Sequence, residues 1–201
     1  MIKAGIFDIG GVLLRWTNLP LFEDVDQTLL ITEEQRCEHW FKYMDLLEIG
    51  KISEKEFWDW FIKDTNAQGL LPDESLLQRQ FKRRLNVDEE MLEIPVLLKR
   101  EGLKTGIISN TIAPHAEVLR SLQSFKEFDE FILSNEVGFR KPQKEIYELA
   151  LEKLEVKPSE AFFVDDLPKN IEAAKKLGIH GILFQNKVQF TQDIKELGVK
   201  L

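Results

Sequence analysis

The chain has 201 residues, 43% of them hydrophobic, and 35 acidic residues against 27 Lys and Arg give a formal net charge of -8. That is enough for one substantial domain with a small accessory module and a real core. The acidic balance argues against a nucleic-acid partner, whose binding needs clustered cations to neutralise phosphates, and the run Lys82-Arg83-Arg84 reads as a solvated helix face. The single cysteine, Cys37, excludes an internal disulfide and a zinc site built on several thiolates, and reads as inert packing. The apolar stretches fall short of the ~20 residues a membrane span needs, and the N-terminus lacks a secretory-signal pattern, so a cytoplasmic protein with no membrane partner is expected.

In chain order, the first element is Ala4-Gly5-Ile6-Phe7, a short continuous apolar run of the kind found in strands buried on both faces. From Trp16 to Asn86 no strand pattern follows. Instead, Thr32-Glu33-Glu34-Gln35 and Ser53-Glu54-Lys55-Glu56 match the capping box, in which a hydroxyl and a carboxylate or amide three residues later satisfy the first free amides reciprocally, so each opens a helix. Phe57, Trp58, Trp60, Phe61 and Ile62 follow the second box, Gly69-Leu70-Leu71-Pro72 supplies a turn, and a segment opening near Asp73 places Leu77, Phe81 and Leu85 four apart. These stripes predict an all-helical module over 16–86, inserted into a domain formed by 1–15 and 87–201.

The remainder alternates. Apolar runs at Thr105 to Ile108, Phe131 to Leu133, Ala161 to Val164 and Gly181 to Phe184 read as strands, and the spacing of Ile146, Leu149, Ala150 and Leu154, and of Ile171 and Ala174 before Gly178, reads as helix. Strand and helix in turn predict an α/β fold with a doubly wound parallel sheet.

In such a sheet, ligands gather outside the carboxyl ends of the strands. Asp8 ends the first strand, Ser109-Asn110 the second and Asp165-Asp166 the fourth, while Arg140-Lys141-Pro142 lies in the loop after the third. Each alone reads as a turn, a cap or a helix start. Acids converging from separate strands repel, however, and a hard divalent cation such as Mg²⁺ relieves that by taking carboxylates, waters and a phosphate oxygen.

At this point "IFDIGGVLL", "IISNT", "GFRKPQKEIY" and "AFFVDDLPKNIEAAKKLGI", in that order, resemble the motifs of the haloacid dehalogenase-like (HAD) hydrolase superfamily, and "GKISEKEFW" resembles a segment of its helical cap inserted after the first strand. The likeness runs essentially end to end. Within the superfamily it is nearest to small sugar-phosphate phosphatases of the α-D-glucose-1-phosphate phosphatase type. The resemblance implies Asp8 as a nucleophile that forms an aspartyl-phosphate, Ser109 and the Asn110 amide as phosphoryl binders, and Lys141 holding the phosphate and neutralising Asp8. It also implies Mg²⁺ held by Asp8, the Gly10 carbonyl and Asp166, with Asp165 direct or through a water. Gly10 and Gly11 let the backbone turn sharply and approach the phosphate closely.

One position departs from the pattern. Most phosphatases of the superfamily carry a second Asp two residues after the nucleophile as general acid and base, and here that position is Gly10. The departure points to substrates whose leaving oxygen needs little protonation, such as hexose 1-phosphates, or to His115 as a stand-in proton donor. Two further readings stay open: a carbon–halogen hydrolase, which also lacks that Asp, and a phosphate- and metal-binding regulatory protein. The flap around Arg15-Trp16 and the cap aromatics Trp40, Phe41 and Tyr43 are candidates to contact the leaving group, with hinging expected near Trp16 and Val87.

Overall fold

The computed structural model describes residues 1–15, 17 and 22–200. Strands β1 (Ala4–Phe7), β2 (Lys104–Ser109), β3 (Glu130–Leu133), β4 (Ala161–Asp165) and β5 (His180–Leu183) form one sheet in the order β3-β2-β1-β4-β5. All pairings are parallel, with Phe7 beside Ile107 on one side and Val164 on the other. The carboxyl ends therefore share one edge, and β1 sits at its centre. The last strand starts at His180 rather than Gly181, one residue earlier than its apolar pattern predicts.

Alternation along β1 splits the interior. Ile6 joins Ile108, Ile132 and Phe163 under helices α8 (Lys144–Leu154) and α9 (Pro168–Lys176). Phe7 faces the opposite side, where its ring meets Phe128, Phe162 and Phe190 edge-on at 5.8–5.9 Å, under α5 (Glu89–Arg100), α6 (Ala113–Ser121) and α10 (Lys187–Glu196). Helices on both faces explain why the strands read as continuous apolar runs.

Between β1 and α5 lie α1 (Glu23–Leu29), α2 (Glu33–Glu48), α3 (Glu54–Thr65) and α4 (Leu76–Arg84). Both capping boxes form: Gln35 N donates to Thr32 Oγ1 at 3.2 Å while Thr32 N donates to Gln35 Oε1 at 2.9 Å, and Ser53 and Glu56 do the same. Such caps contribute about 1 kcal/mol each. The next helix starts at Leu76, where Ser75 Oγ accepts from Gln78 N, rather than near Asp73. Trp40 stands edge-on to Phe57, Trp58 and Phe61 at the centre of this helical layer, so those aromatics are core, whereas Trp60 is partly exposed.

The two crossings between the layers are clasped together. Arg15 Nε and Nη2 donate to Asp88 Oδ2 and Oδ1 at 2.7 and 2.9 Å, Arg15 N donates to Asn86 O, and Asp88 N donates to Leu13 O. Asp88 also caps α5 through Met91 N. The Trp16 flap lies outside the described residues.

Two expectations need correction. Cys37 is exposed on α2 instead of packed inside, because it falls on the solvent side of the turn whose neighbour Arg36 is buried against Asp26. Arg84 is not part of a solvated face: it is half-buried, with its Nε shielded and unpartnered. Among the described residues no helix is long and apolar enough to cross a membrane.

Candidate active site

Asp8 follows β1 directly, its amide donating to Val164 O at 2.9 Å, so the sheet fixes where the carboxyl leaves the backbone. The chain then coils tightly: the amides of Val12, Leu13 and Leu14 all turn back to Ile9 O, and Gly11 N donates to Leu14 O. Gly11 has φ +77°, a left-handed conformation that a side chain would strain.

Lys141 comes from the loop after β3, by way of α7 (Ser134–Val137), and is buried. Its Nζ lies 2.6 Å from Asp8 Oδ1 and 2.6 Å from Asp165 Oδ2. Burial works against the ammonium, but the two carboxylates outweigh it and hold the Lys141 pKa above the ordinary lysine value. Burial pushes the Asp8 carboxyl up to about 6, against the pull of Lys141 and with Asp165 adding to the rise.

Asn110 places both ends of its amide on the Lys141 backbone: Nδ2 donates to Lys141 O at 2.9 Å, and Oδ1 accepts from Lys141 N at 2.7 Å. Its side chain thus fixes the lysine loop, where the peptide bond from Lys141 to Pro142 is cis. Ser109, at the end of β2, is buried and opens onto the cleft beside Gly10. Ser134 braces the same edge by bonding both Thr111 N and Thr111 O.

The acid pair divides its work. Asp165 Oδ1 accepts from Leu167 N at 2.8 Å, Asn170 Nδ2 reaches both oxygens at 3.0 Å, and Oδ2 also takes Lys141. Asp8, Asp165 and Asp166 nevertheless each bring an oxygen within 4.8 Å of the others. Three hard donors so close, with one ammonium among them, suit a small oxygen-seeking divalent ion.

His115 lines the same cleft as Gly10 and Ser109. It is stacked on Phe81 with ring centroids 4.3 Å apart, and burial, helped by the charge of Arg84 and opposed by the Leu77 carbonyl, presses its pKa down to about 4. Of the leaving-group candidates, Trp40 and Phe41 line the cleft, Tyr43 donates instead to Asp64, and Arg15 is engaged by Asp88. Reasoning from sequence missed Asn170, Ser134 and the cap–core pairing of Arg140 with Asp45 and Glu48. An Asn five residues after a strand-end Asp, at the mouth of a helix, was the available signal for the first.

The architecture and this cluster define a parallel α/β sheet domain with an acid–lysine cluster at its strand ends and a helical layer between β1 and α5. The family model for haloacid dehalogenase-like hydrolases matches residues 2–178, and the chain belongs to that family of enzymes. The chain is 28% identical to the sesquiterpene phosphatase astK of Aspergillus oryzae, over 97% of this chain and 96% of that protein. It is 27% identical to mouse bifunctional epoxide hydrolase 2 over 98% of this chain, which spans only 39% of that longer protein. Among solved structures, a HAD family enzyme from Bacteroides thetaiotaomicron superposes with a TM-score of 0.79 at 25% identity, covering 99% of each chain, and that enzyme has also been solved with magnesium and inorganic phosphate.

Proposed function

We propose that the protein is a Mg²⁺-dependent phosphomonoester hydrolase acting on a small phosphorylated metabolite through an aspartyl-phosphate at Asp8. The observation that carries this reading is the buried Asp8 carboxylate, held 2.6 Å from Lys141 Nζ at the strand ends. The donor set of Asp8, Asp166 and the Gly10 carbonyl fits Mg²⁺, which when bound supplies positive charge against the phosphoryl oxygens.

In the first step an Asp8 oxygen forms a bond to phosphorus and the bond to the leaving oxygen breaks. In the second, water forms the new bond to phosphorus and the Asp8 carboxylate is released with inorganic phosphate. Lys141 and Ser109 hold the transferred group, Asn110 and Asp165 hold Lys141, and Gly10 with Gly11 admits the phosphate close to the backbone. No side chain at position 10 protonates the leaving oxygen, so of two substrates bound equally well the one with the better-stabilised leaving oxygen reacts faster, as a hexose 1-phosphate would beside an ordinary alkyl ester. A carbon–halogen hydrolase has no use for a metal-suited acid cluster, and a purely regulatory protein has no use for a nucleophilic carboxylate beside its phosphate-binding lysine.

The helical module spans 16–86 and moves about the clasped crossings at Arg15 and Asp88, excluding water when closed. The test is phosphate release from a panel of phosphorylated metabolites, with and without Mg²⁺. Metal-dependent release that is abolished in Asp8→Asn is expected. Release that survives Asp8→Asn, or no release at all beside turnover of a halogenated acid, would reject the reading.

A further inference from the structure

Next to the site lies a cleft of about 610 Å³, within the size range of small-molecule pockets. One end is the reaction end, where Gly10, Ser109 and Asn110 face in. Much of the rest is hydrocarbon and ring: Ile9 and Leu14 from the core, beside Thr111, and Trp40, Phe41, Met44 and Phe81 from the helical layer. His115 belongs with them, since it stacks flat on Phe81 and stays neutral at physiological pH. The polar side chains on the cap side are Gln80, Arg84 and Glu48, the last paired with Arg140 at 3.1 Å. Phe41 is 71% exposed at the rim, an apolar cost that a bound apolar group would offset.

We infer that this cleft seats the leaving group and that the leaving group is apolar, so that the substrates are phosphomonoesters of hydrophobic alcohols, aliphatic or aromatic. This rests on the phosphomonoesterase reading above and narrows it away from sugars. A hydroxyl desolvated against such walls without a partner costs about tenfold or more in affinity, whereas each methylene buried there gains up to about fourfold.

The test is a chain-length series of ethyl, butyl and hexyl phosphate, compared with glycerol 3-phosphate and glucose 1-phosphate, in the presence of Mg²⁺. The alkyl leaving oxygens are almost equally basic, so the slope reports burial and not chemistry. We expect kcat/KM to rise about two- to fourfold per methylene and hexyl phosphate to exceed glycerol 3-phosphate, whose leaving oxygen is comparably basic, by more than about tenfold. A flat series, or glycerol 3-phosphate ahead of hexyl phosphate, overturns the inference while leaving the phosphatase reading intact. The affinities of ethyl- and hexylphosphonate, measured by calorimetry, give the same slope without turnover, so a failure of the chemistry is read separately. Met44→Gln should flatten both series, and Phe41→Ser, at an exposed position, does so if the first variant fails to fold.

Discussion

Asp165 Oδ2 holds Lys141 Nζ at 2.6 Å in a place where both side chains are buried, and the same ammonium reaches Asp8 at an equal distance. The lysine is thus a structural cation, whatever part it takes in the chemistry proposed above. Lys141→Met removes it and leaves two carboxylates without their partner, which costs about 3–5 kcal/mol where the charge cannot escape to water. Urea unfolding should show a loss of that size, alongside turnover at background. Unchanged stability would mean that the pair is solvated and the site far more open than described.

Gly10→Asp places a carboxyl two residues after Asp8, the proposed nucleophile, where it is expected to act as proton donor to the leaving oxygen. General acid catalysis contributes about 10²–10⁴-fold, and most where the leaving oxygen is most basic. The gain in kcat should therefore be largest for alkyl phosphates and small for aryl phosphates. Equal gains across both would show that protonation is not what the glycine lacks.

Asp166→Asn removes one carboxylate of the cluster in which Asp8, Asp165 and Asp166 bring oxygens within 4.8 Å of one another. The Mg²⁺ concentration for half-maximal activity should rise by about tenfold or more, with kcat at saturating metal less affected. An unchanged metal titration would place the ion elsewhere.

His115 gives a stability prediction with a definite sign. Its pKa falls from 6.5 in the unfolded chain to about 4 in the fold, chiefly through burial, so between those values the unfolded state binds a proton that the folded state does not. Stability present above pH 6.5 is lost as pH falls through the window, at up to about 1.4 kcal/mol per unit. Asp8, whose pKa is raised, titrates in the opposite sense and is common to every variant compared. Between pH 7.5 and pH 5 the native protein should therefore lose up to about 2 kcal/mol more than His115→Leu, measured by urea midpoints. Parallel losses would reject the assignment.

The strands were legible because helices cover both faces of the sheet, which makes runs such as Ala161 to Val164 apolar without alternation. The capping boxes at Thr32 and Ser53 were legible because their chemistry is local. The short helices α1 and α7 were not: neither has a side-chain N-cap, and each is held by what surrounds it. Within the acid pair, sequence could not say which member takes the lysine. That is decided by Asn170 and the Leu167 amide, which reach Asp165 only once the turn into α9 is built. The Asn110 amide was expected beside the phosphoryl group, and its engagement by the Lys141 backbone depends on a loop that arrives from 31 residues away. The apolar cleft escaped for the same reason, since Met44, Phe81 and Leu14 meet only across the two layers.

Asp8, Asp165 and Asp166 set three negative charges against the one positive charge of Lys141, leaving a surplus of two within this group. A phosphate dianion arriving there meets repulsion, and a divalent cation meets attraction of matching size. The two ligands are therefore thermodynamically coupled: each tightens the binding of the other by the same factor, whichever arrives first. The ammonium, fixed between two of the acids, sets how large that factor is.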